Sequence, residues 1–175
     1  MDQASRRTSR SIGRQMDIQL RWLVPLDLVD GTRDGLIYDI EEDDWDYVPD
    51  APGVYIFARA HGNSIAPLYI GRATSLSDRI WQHLNNNLRL MRGLEDAAAG
   101  YRVLLLAPVI TRPGQRIARV LQLVEAALIR SALIEGYELI NVQGTRTPVH
   151  TISSSGNRAA TDWLPSRKML VQSDA

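Results

Sequence analysis

Two tyrosines of the chain each stand two residues from a glycine, in Gly53-Val54-Tyr55 and in Tyr69-Ile70-Gly71. Ten residues past the second tyrosine comes Arg79, four further His83, and far downstream Glu125 and Asn141. Hydroxyls on two adjacent strands can flank one phosphate, and a nearby glycine lets backbone approach a ligand closely. Either tyrosine alone reads as core packing rather than chemistry; the position of both, opposite the aliphatic face of their strands and tied to a glycine, is what favours a site. Arg79 and His83, spaced i and i+4, share one helix face with Gln82 and Asn86. That face is either a plain solvated surface or a phosphate site, with the Arg79 fork on a non-bridging oxygen and His83 shuttling or positioning a proton. Glu125 has Leu121, Leu128 and Ile129 as helix neighbours, with Gln122 the polar exception. A carboxylate there is costly to bury unless paired or metal-bound. It either reaches water at the edge of the apolar stripe or ligates a hard cation such as Mg²⁺, which often takes only one or two carboxylates.

The elements that must position these groups show in the periodicity. Gly53 to Ala58 alternates, with Val54, Ile56 and Ala58 on one face and Tyr55 and Phe57 on the other. Gly62-Asn63 is a turn signal, and Leu68 to Gly71 resumes the alternation, so the two runs predict an antiparallel hairpin. A helix follows, with Ser75 as N-cap, Asp78 three residues on, and Leu76, Ile80, Leu84 and Leu88 as its buried stripe. Tyr101 to Leu106 is nearly all apolar, which predicts a central strand. Gln115 to Ile134 predicts the longest helix, buried along Ile117, Val120, Leu121, Val124 and Leu128 and ended by Gly136. Leu139 to Asn141 is expected as a last short strand, and Ala159 to Leu164 as one or two helical turns. Asp17 to Leu28 is expected to form a strand on the core, and the polar, Arg-rich start to be disordered.

Composition bounds the rest. With 175 residues and a hydrophobic share of 45%, the chain can build one domain with extensions. No apolar run is long enough to span a bilayer, and the polar start has no secretory pattern, so we expect a cytoplasmic protein with no membrane partner. Cysteine is absent, which excludes disulfides and thiolate metal sites. Net charge is zero but segregated: residues 1–50 carry six basic and twelve acidic side chains, the remainder fourteen and eight. The acidic run over residues 39–50 is either a solvated connector or a segment that occupies a basic cleft when a polyanion is absent. Nineteen of the twenty basic residues are arginine, a planar fork suited to phosphate oxygens, although biased codon usage gives the same ratio. Arg112, Arg116 and Arg119 cluster at a helix start, and Arg89 and Arg92 follow the first helix. These groups are either a solvated face or phosphate contacts that position a strand without reading sequence. Arg146, His150, Arg158, Arg167 and Lys168, among small polar residues, suit a DNA-contacting loop.

Taken in order, from Gly53 to Asn141, these residues resemble the GIY-YIG endonuclease superfamily, with Val54 where its first motif usually has isoleucine. The resemblance covers about half the chain. It implies an α+β fold, a small core with a three-stranded, mainly antiparallel sheet flanked by helices. Residues 1–50 would be an N-terminal extension, 51–143 the nuclease-like core, and 144–175 a C-terminal extension. Carried over by position, Tyr55 and Tyr69 correspond to the motif tyrosines and Arg79 to the catalytic arginine. Glu125 corresponds to the metal-binding glutamate, Asn141 to a supporting asparagine, and His83 to a position held by His or Tyr. Arg72 falls where a basic residue is common. The implied activity is Mg²⁺-dependent hydrolysis of DNA phosphodiesters, with Mn²⁺ as a substitute, leaving 5′-phosphate and 3′-hydroxyl ends. Tyr55 would be the general base. Restriction, mobile-element and repair roles all fit, and a homodimer would suit double-strand cleavage. The alternatives are a non-catalytic nucleic-acid-binding module of the same fold, or a nuclease toxin acting on DNA or RNA.

Overall fold

A computed structural model describes residues 18, 20–31, 36–142, 149–153 and 167–171. The chain is α+β. Its main sheet has five antiparallel strands in the order β2-β1-β5-β3-β4, formed by β1 (Leu26–Asp30), β2 (Tyr38–Asp39), β3 (Gly53–His61), β4 (Ser64–Ala73) and β5 (Tyr101–Pro108). Helices α1 (Leu76–Asn86) and α2 (Leu88–Glu95) lie between β4 and β5 in the chain, and α3 (Ile117–Ile134) follows β5. A separate antiparallel pair, β6 (Val149–Ser153) and β7 (Arg167–Val171), lies in the last part of the chain.

The sheet is larger than the three strands expected because the first fifty residues supply two more. β1 pairs with β5, Leu26 facing Leu104 and Leu28 facing Arg102. It begins later than the sequence suggests: Pro25, which has no N–H to give to a ladder, directly precedes it. The chain before it still docks, with the Leu23 N–H donating to the Leu106 carbonyl.

The alternation in β3 divides the core. Tyr55 and Phe57 enter a cluster with Leu76, Ile80 and Leu84 of α1 and Leu90, Met91 and Leu94 of α2. Val54, Ile56 and Ala58 point the other way, toward clusters that include Val120, Leu121, Val124 and Ala132 of α3. A bulge in β4 breaks the register: Phe57 pairs with Tyr69, but Ala58 pairs with Pro67. Leu68 and Tyr69 therefore pack against the same cluster despite being neighbours. Pro67 is tolerated because β4 is an edge strand.

The α1 stripe is shorter than its spacing suggests. Leu76, Ile80 and Leu84 are buried, but Leu88 is exposed. The helix breaks at Asn87, whose φ and ψ of −105° and 68° are not helical, so Leu88 starts a new helix with a new facing direction. Arg102 is buried and donates to the carbonyls of Leu94, Ala97 and Gly100 at 2.6 to 2.8 Å, tying down the chain that leaves α2. Asn141 lies in a 3-10 turn, Ile140–Val142, not in a strand.

The acidic run is a solvated connector, its carboxylates mostly exposed, but one anchored to the core rather than seated in a basic cleft. Glu42–Tyr47 forms a 3-10 helix held down by the buried Ile40 and Val48, and by Trp45. It shares a cavity with Trp81, while the arginines described below line a different one. The apolar residues interleaved with the carboxylates outweigh the charge pattern, because burying each is worth on the order of 1.5–3 kcal/mol. The predicted turns over Ala159 to Leu164 lie outside the described residues, as do Arg146 and Arg158.

Candidate active site

Each motif glycine clears space that a side chain would fill. A side chain at Gly71, the cross-strand partner of Tyr55, would collide with the Tyr55 ring. At Gly53, a β-carbon would meet the Ala107 carbonyl oxygen and the Leu76 side chain. Each glycine of the two tripeptides therefore clears space for tyrosine or helix, and neither needs an unusual φ. The Tyr55 ring lies over Gly71 and stacks against Tyr69, centroids 6.2 Å apart and 14° from parallel. Phe57 closes the group edge-on, 6.0 Å from Tyr55 and 6.3 Å from Tyr69.

His83 completes this cluster from α1. It is not on an exposed face but buried, its ring 5.4 Å from both tyrosine rings. Its Nε2 is 2.6 Å from the Tyr55 hydroxyl, and its Nδ1 is 2.9 Å from the side-chain nitrogen of Asn87. Asn87 in turn accepts the Leu90 N–H at Oδ1, at 3.1 Å. Burial pushes the Tyr55 phenol well above the usual tyrosine range; a negative Tyr69 and the hydrogen bond to Tyr69 act in the same direction, and Arg79 opposes them. Burial, with the nearby Arg79 cation, lowers the His83 imidazole to about 4, so it is neutral at pH 7. Tyr55 is 2% exposed, whereas Tyr69 is only half-buried and opens onto a cavity of about 340 Å³ with Asn87, Arg89, Leu90, Ile140 and Asn141.

Glu125 reaches the hairpin from α3. Its Oε2 lies 3.1 Å from Nε of Arg72, the residue directly after Gly71. Burial raises its pKa and the Arg72 charge opposes the rise. Arg72 also lines a cleft of about 530 Å³ with Thr74, Arg79, Arg116, Arg119 and Gln122. Four arginines thus border one cleft, and one of them, Arg72, pairs with the Glu125 carboxylate. Among the described residues, no group of three or more His, Cys, Asp or Glu is placed to cage a metal. The chemistry still fits a hard cation that keeps most of its waters: one half-buried carboxylate, beside a cleft open to solvent.

Asn141 donates from Nδ2 to the Ile70 carbonyl at 2.7 Å, closing part of the free edge of β4 beside Tyr69. Of the residues singled out in the sequence, Tyr55, Tyr69 and His83 come into mutual contact, Arg72 joins Glu125, and Arg79, Arg116 and Arg119 border the same cleft. Arg89 stands with Tyr69 and Asn141 in the smaller cavity. Arg112 lines neither; its N–H donates to the Gln115 side chain in the turn before α3. His150 lies on β6, and Arg167 and Lys168 on β7. Asn87 was missed. The available signal was an asparagine, a preferred N-cap, where the leucine stripe of α1 fails.

No protein-family model matches the chain, and no curated protein matches it. Among solved structures, it is similar to the GIY-YIG N-terminal endonuclease domain of UvrC from Thermotoga maritima bound to its catalytic divalent cation, magnesium. That similarity is 29% identity over 52% of this chain and 88% of that one, with a TM-score of 0.36. Two point mutants of the same domain, bound to the catalytic divalent cation, are similar at 29% and 28% identity. They cover 52% and 54% of this chain and 87% and 93% of theirs, each with a TM-score of 0.36.

Proposed function

We propose that this protein is a divalent-metal-dependent endonuclease of GIY-YIG type that hydrolyses DNA phosphodiesters. The observation that carries this reading is the 3.1 Å contact between Glu125 and Arg72. It brings the one carboxylate of the late helix to the end of the hairpin that holds both tyrosines. The proposed catalytic unit is residues 51–143, with β1 and β2 of the preceding extension enlarging its sheet.

The chain's own groups divide the work. Arg79, Arg72, Arg116 and Arg119 hold the phosphate backbone, and Arg79 stabilises the charge that develops on the phosphoryl oxygens. Glu125 is the residue that would hold Mg²⁺ or Mn²⁺. When bound, that ion would polarise the phosphate and stabilise the leaving oxygen. Water attacks phosphorus, the bond to the 3′ oxygen breaks, and the products carry a 5′-phosphate and a 3′-hydroxyl. The attacking water gives up its proton at the tyrosine pair, which first releases one phenolic proton to solvent on its open side and so has an oxygen free to take it. Tyr55 alone is a poor base, since it is enclosed and its phenol holds its proton. Tyr69, half-exposed and in contact with Tyr55, is the member that meets the water. Asn141 and Arg89 border that hydroxyl and hold β4 and the flanking backbone.

The test is incubation of supercoiled plasmid, linear duplex, single-stranded DNA and RNA with the protein, with Mg²⁺ or with EDTA, followed by end mapping. Nicking with Mg²⁺ and none with EDTA is expected, with 5′-phosphate ends. Salt-sensitive DNA binding without cleavage in any metal would instead make the chain a binding module, and cleavage of RNA alone would reassign the substrate.

A further inference from the structure

Asn87 occupies two positions at once: it ends α1 and caps α2. Its backbone N–H donates to the His83 carbonyl at 3.2 Å, and its Oδ1 accepts the Leu90 N–H at 3.1 Å. A backbone N–H can only donate, so the amide oxygen must face Leu90 and the NH₂ must face His83. The NH₂ can only donate in turn, so Nδ1 of His83 must accept, and the single proton of the neutral ring must sit on Nε2. At 2.6 Å from the Tyr55 hydroxyl, that Nε2–H donates to the tyrosine oxygen.

We propose that Asn87 is a positioning residue that locks His83 as a hydrogen-bond donor to Tyr55 and prevents it from accepting the tyrosine proton. The helix cap is the source of the lock: the demand of an unpaired N–H in the first turn of α2 is passed through an amide and an imidazole to a phenol. Every donor in the series, Leu90 N–H, Asn87 NH₂ and His83 Nε2–H, points from α2 toward the tyrosines. With its acceptor site filled from behind, Tyr55 has its own O–H left to point forward, on the side where Tyr69 stacks against it. Of the two roles the sequence left open for His83, positioning is the one the geometry permits. The catalytic consequence rests on the nuclease reading above; the tautomer does not.

The experiment therefore has two separate readouts. Long-range ¹H–¹⁵N correlation on ¹⁵N-histidine-labelled protein at pH 7 reports which ring nitrogen of His83 carries the proton. The wild type is expected to show Nε2–H. Asn87→Asp keeps a cap oxygen for Leu90 but offers His83 only acceptors, so it is expected to move the proton to Nδ1. A wild-type Nδ1–H or mixed tautomer, or an unchanged Nε2–H in folded Asn87→Asp, would overturn the lock. In the cleavage assay, Asn87→Asp is expected to lower kcat on the order of 10²-fold with KM for DNA little changed. Asn87→Ser, which keeps a cap but removes the donor to Nδ1, should show a smaller loss. If the wild type cleaves nothing, the nuclease reading fails while the tautomer assignment is judged on the spectra alone. If it cleaves and Asn87→Asp matches it in kcat, the positioning role is wrong.

Discussion

Around Tyr55, the protein is finished before any ligand arrives: Tyr55 and His83 are enclosed, and no buried side-chain nitrogen or oxygen among the described residues lacks a partner. Around Glu125 it is not. Arg79, Arg116 and Arg119 are exposed, Arg72 and Glu125 are partly so, and the carboxylate is answered by a guanidinium that water can also reach. A dry, fully bonded network holds geometry, since breaking any link leaves a buried polar group unpaired. A wet, like-charged cleft holds nothing fixed, but its field attracts a polyanion and a cation-bearing backbone. The contrast teaches that the fold fixes its tyrosine–histidine geometry in the core and keeps its converging charges at the solvent-exposed rim.

Removing the carboxylate is the most severe way to break that division. Glu125→Ala is expected to reduce Mg²⁺-dependent nicking to background while the circular-dichroism spectrum stays native, because the residue is at the rim of the core. Wild-type turnover in that variant would detach Glu125 from the chemistry. Next, Tyr69→Phe and Arg79→Ala should each lower the single-turnover rate on the order of 10²–10³-fold, with DNA affinity much less altered. Equal losses in both quantities would make these groups anchors only.

The buried side is probed by acid. Burial, with the Arg79 cation nearby, holds the folded His83 imidazole at about 4, below the ordinary histidine value of 6.5. The unfolded state therefore binds the proton first, and the stability that the neutral ring contributes is intact above about pH 6.5 and lost as pH falls toward 4. The loss is bounded at about 3 kcal/mol. Glu125, with its pKa raised, acts in the opposite direction, since its protonation is easier in the folded state. Thermal unfolding of wild type and His83→Gln between pH 8 and 4 isolates the His83 part. Parallel curves would mean that His83 is not the neutral, enclosed group described.

Two gentler changes sharpen the wet side. Arg116→Ala and Arg119→Ala should weaken binding to all DNA sequences alike, and each should reduce the slope of log K against log salt by about 1. Arg72→Ala should lower the Mg²⁺ concentration needed for half-maximal cleavage by a few-fold, the scale of a partly exposed ion pair of up to about 1 kcal/mol. A higher Mg²⁺ requirement would show that Arg72 supports the cation site rather than competing with it.

The wet side was the more legible in the sequence. Arginine spacing, the hairpin alternation and a carboxylate among leucines can all be read one residue at a time, and the Ser75 cap was found in the same way, its hydroxyl accepting the Asp78 N–H at 3.2 Å. What was missed depends on pairs of elements. His83 was singled out, but whether its face is solvated or enclosed stayed open, because its helix neighbours are polar and the rings that bury it, Tyr55, Phe57 and Tyr69, come from the hairpin. Asn87 offered only the weak signal of an N-cap residue, because its contact with His83 needs both helices and the ring between them. Of the extra strands, the first was expected over Asp17 to Leu28 but begins only after Pro25, the second is two residues long beside the acidic run, and the bulge before Tyr69 has no local residue signature.

The missing β-carbon at Gly71 has a consequence for how this protein can change. Because that space is filled by the Tyr55 ring, the two tripeptides behave as one genetic unit. Gly71→Ala should be ruinous in the native background yet milder once Tyr55 is cut back to alanine, a non-additive interaction between two sites sixteen positions apart in the chain. A lineage that gave up the tyrosine would be released from the glycine, and one that kept the tyrosine would have no alternative at the facing position.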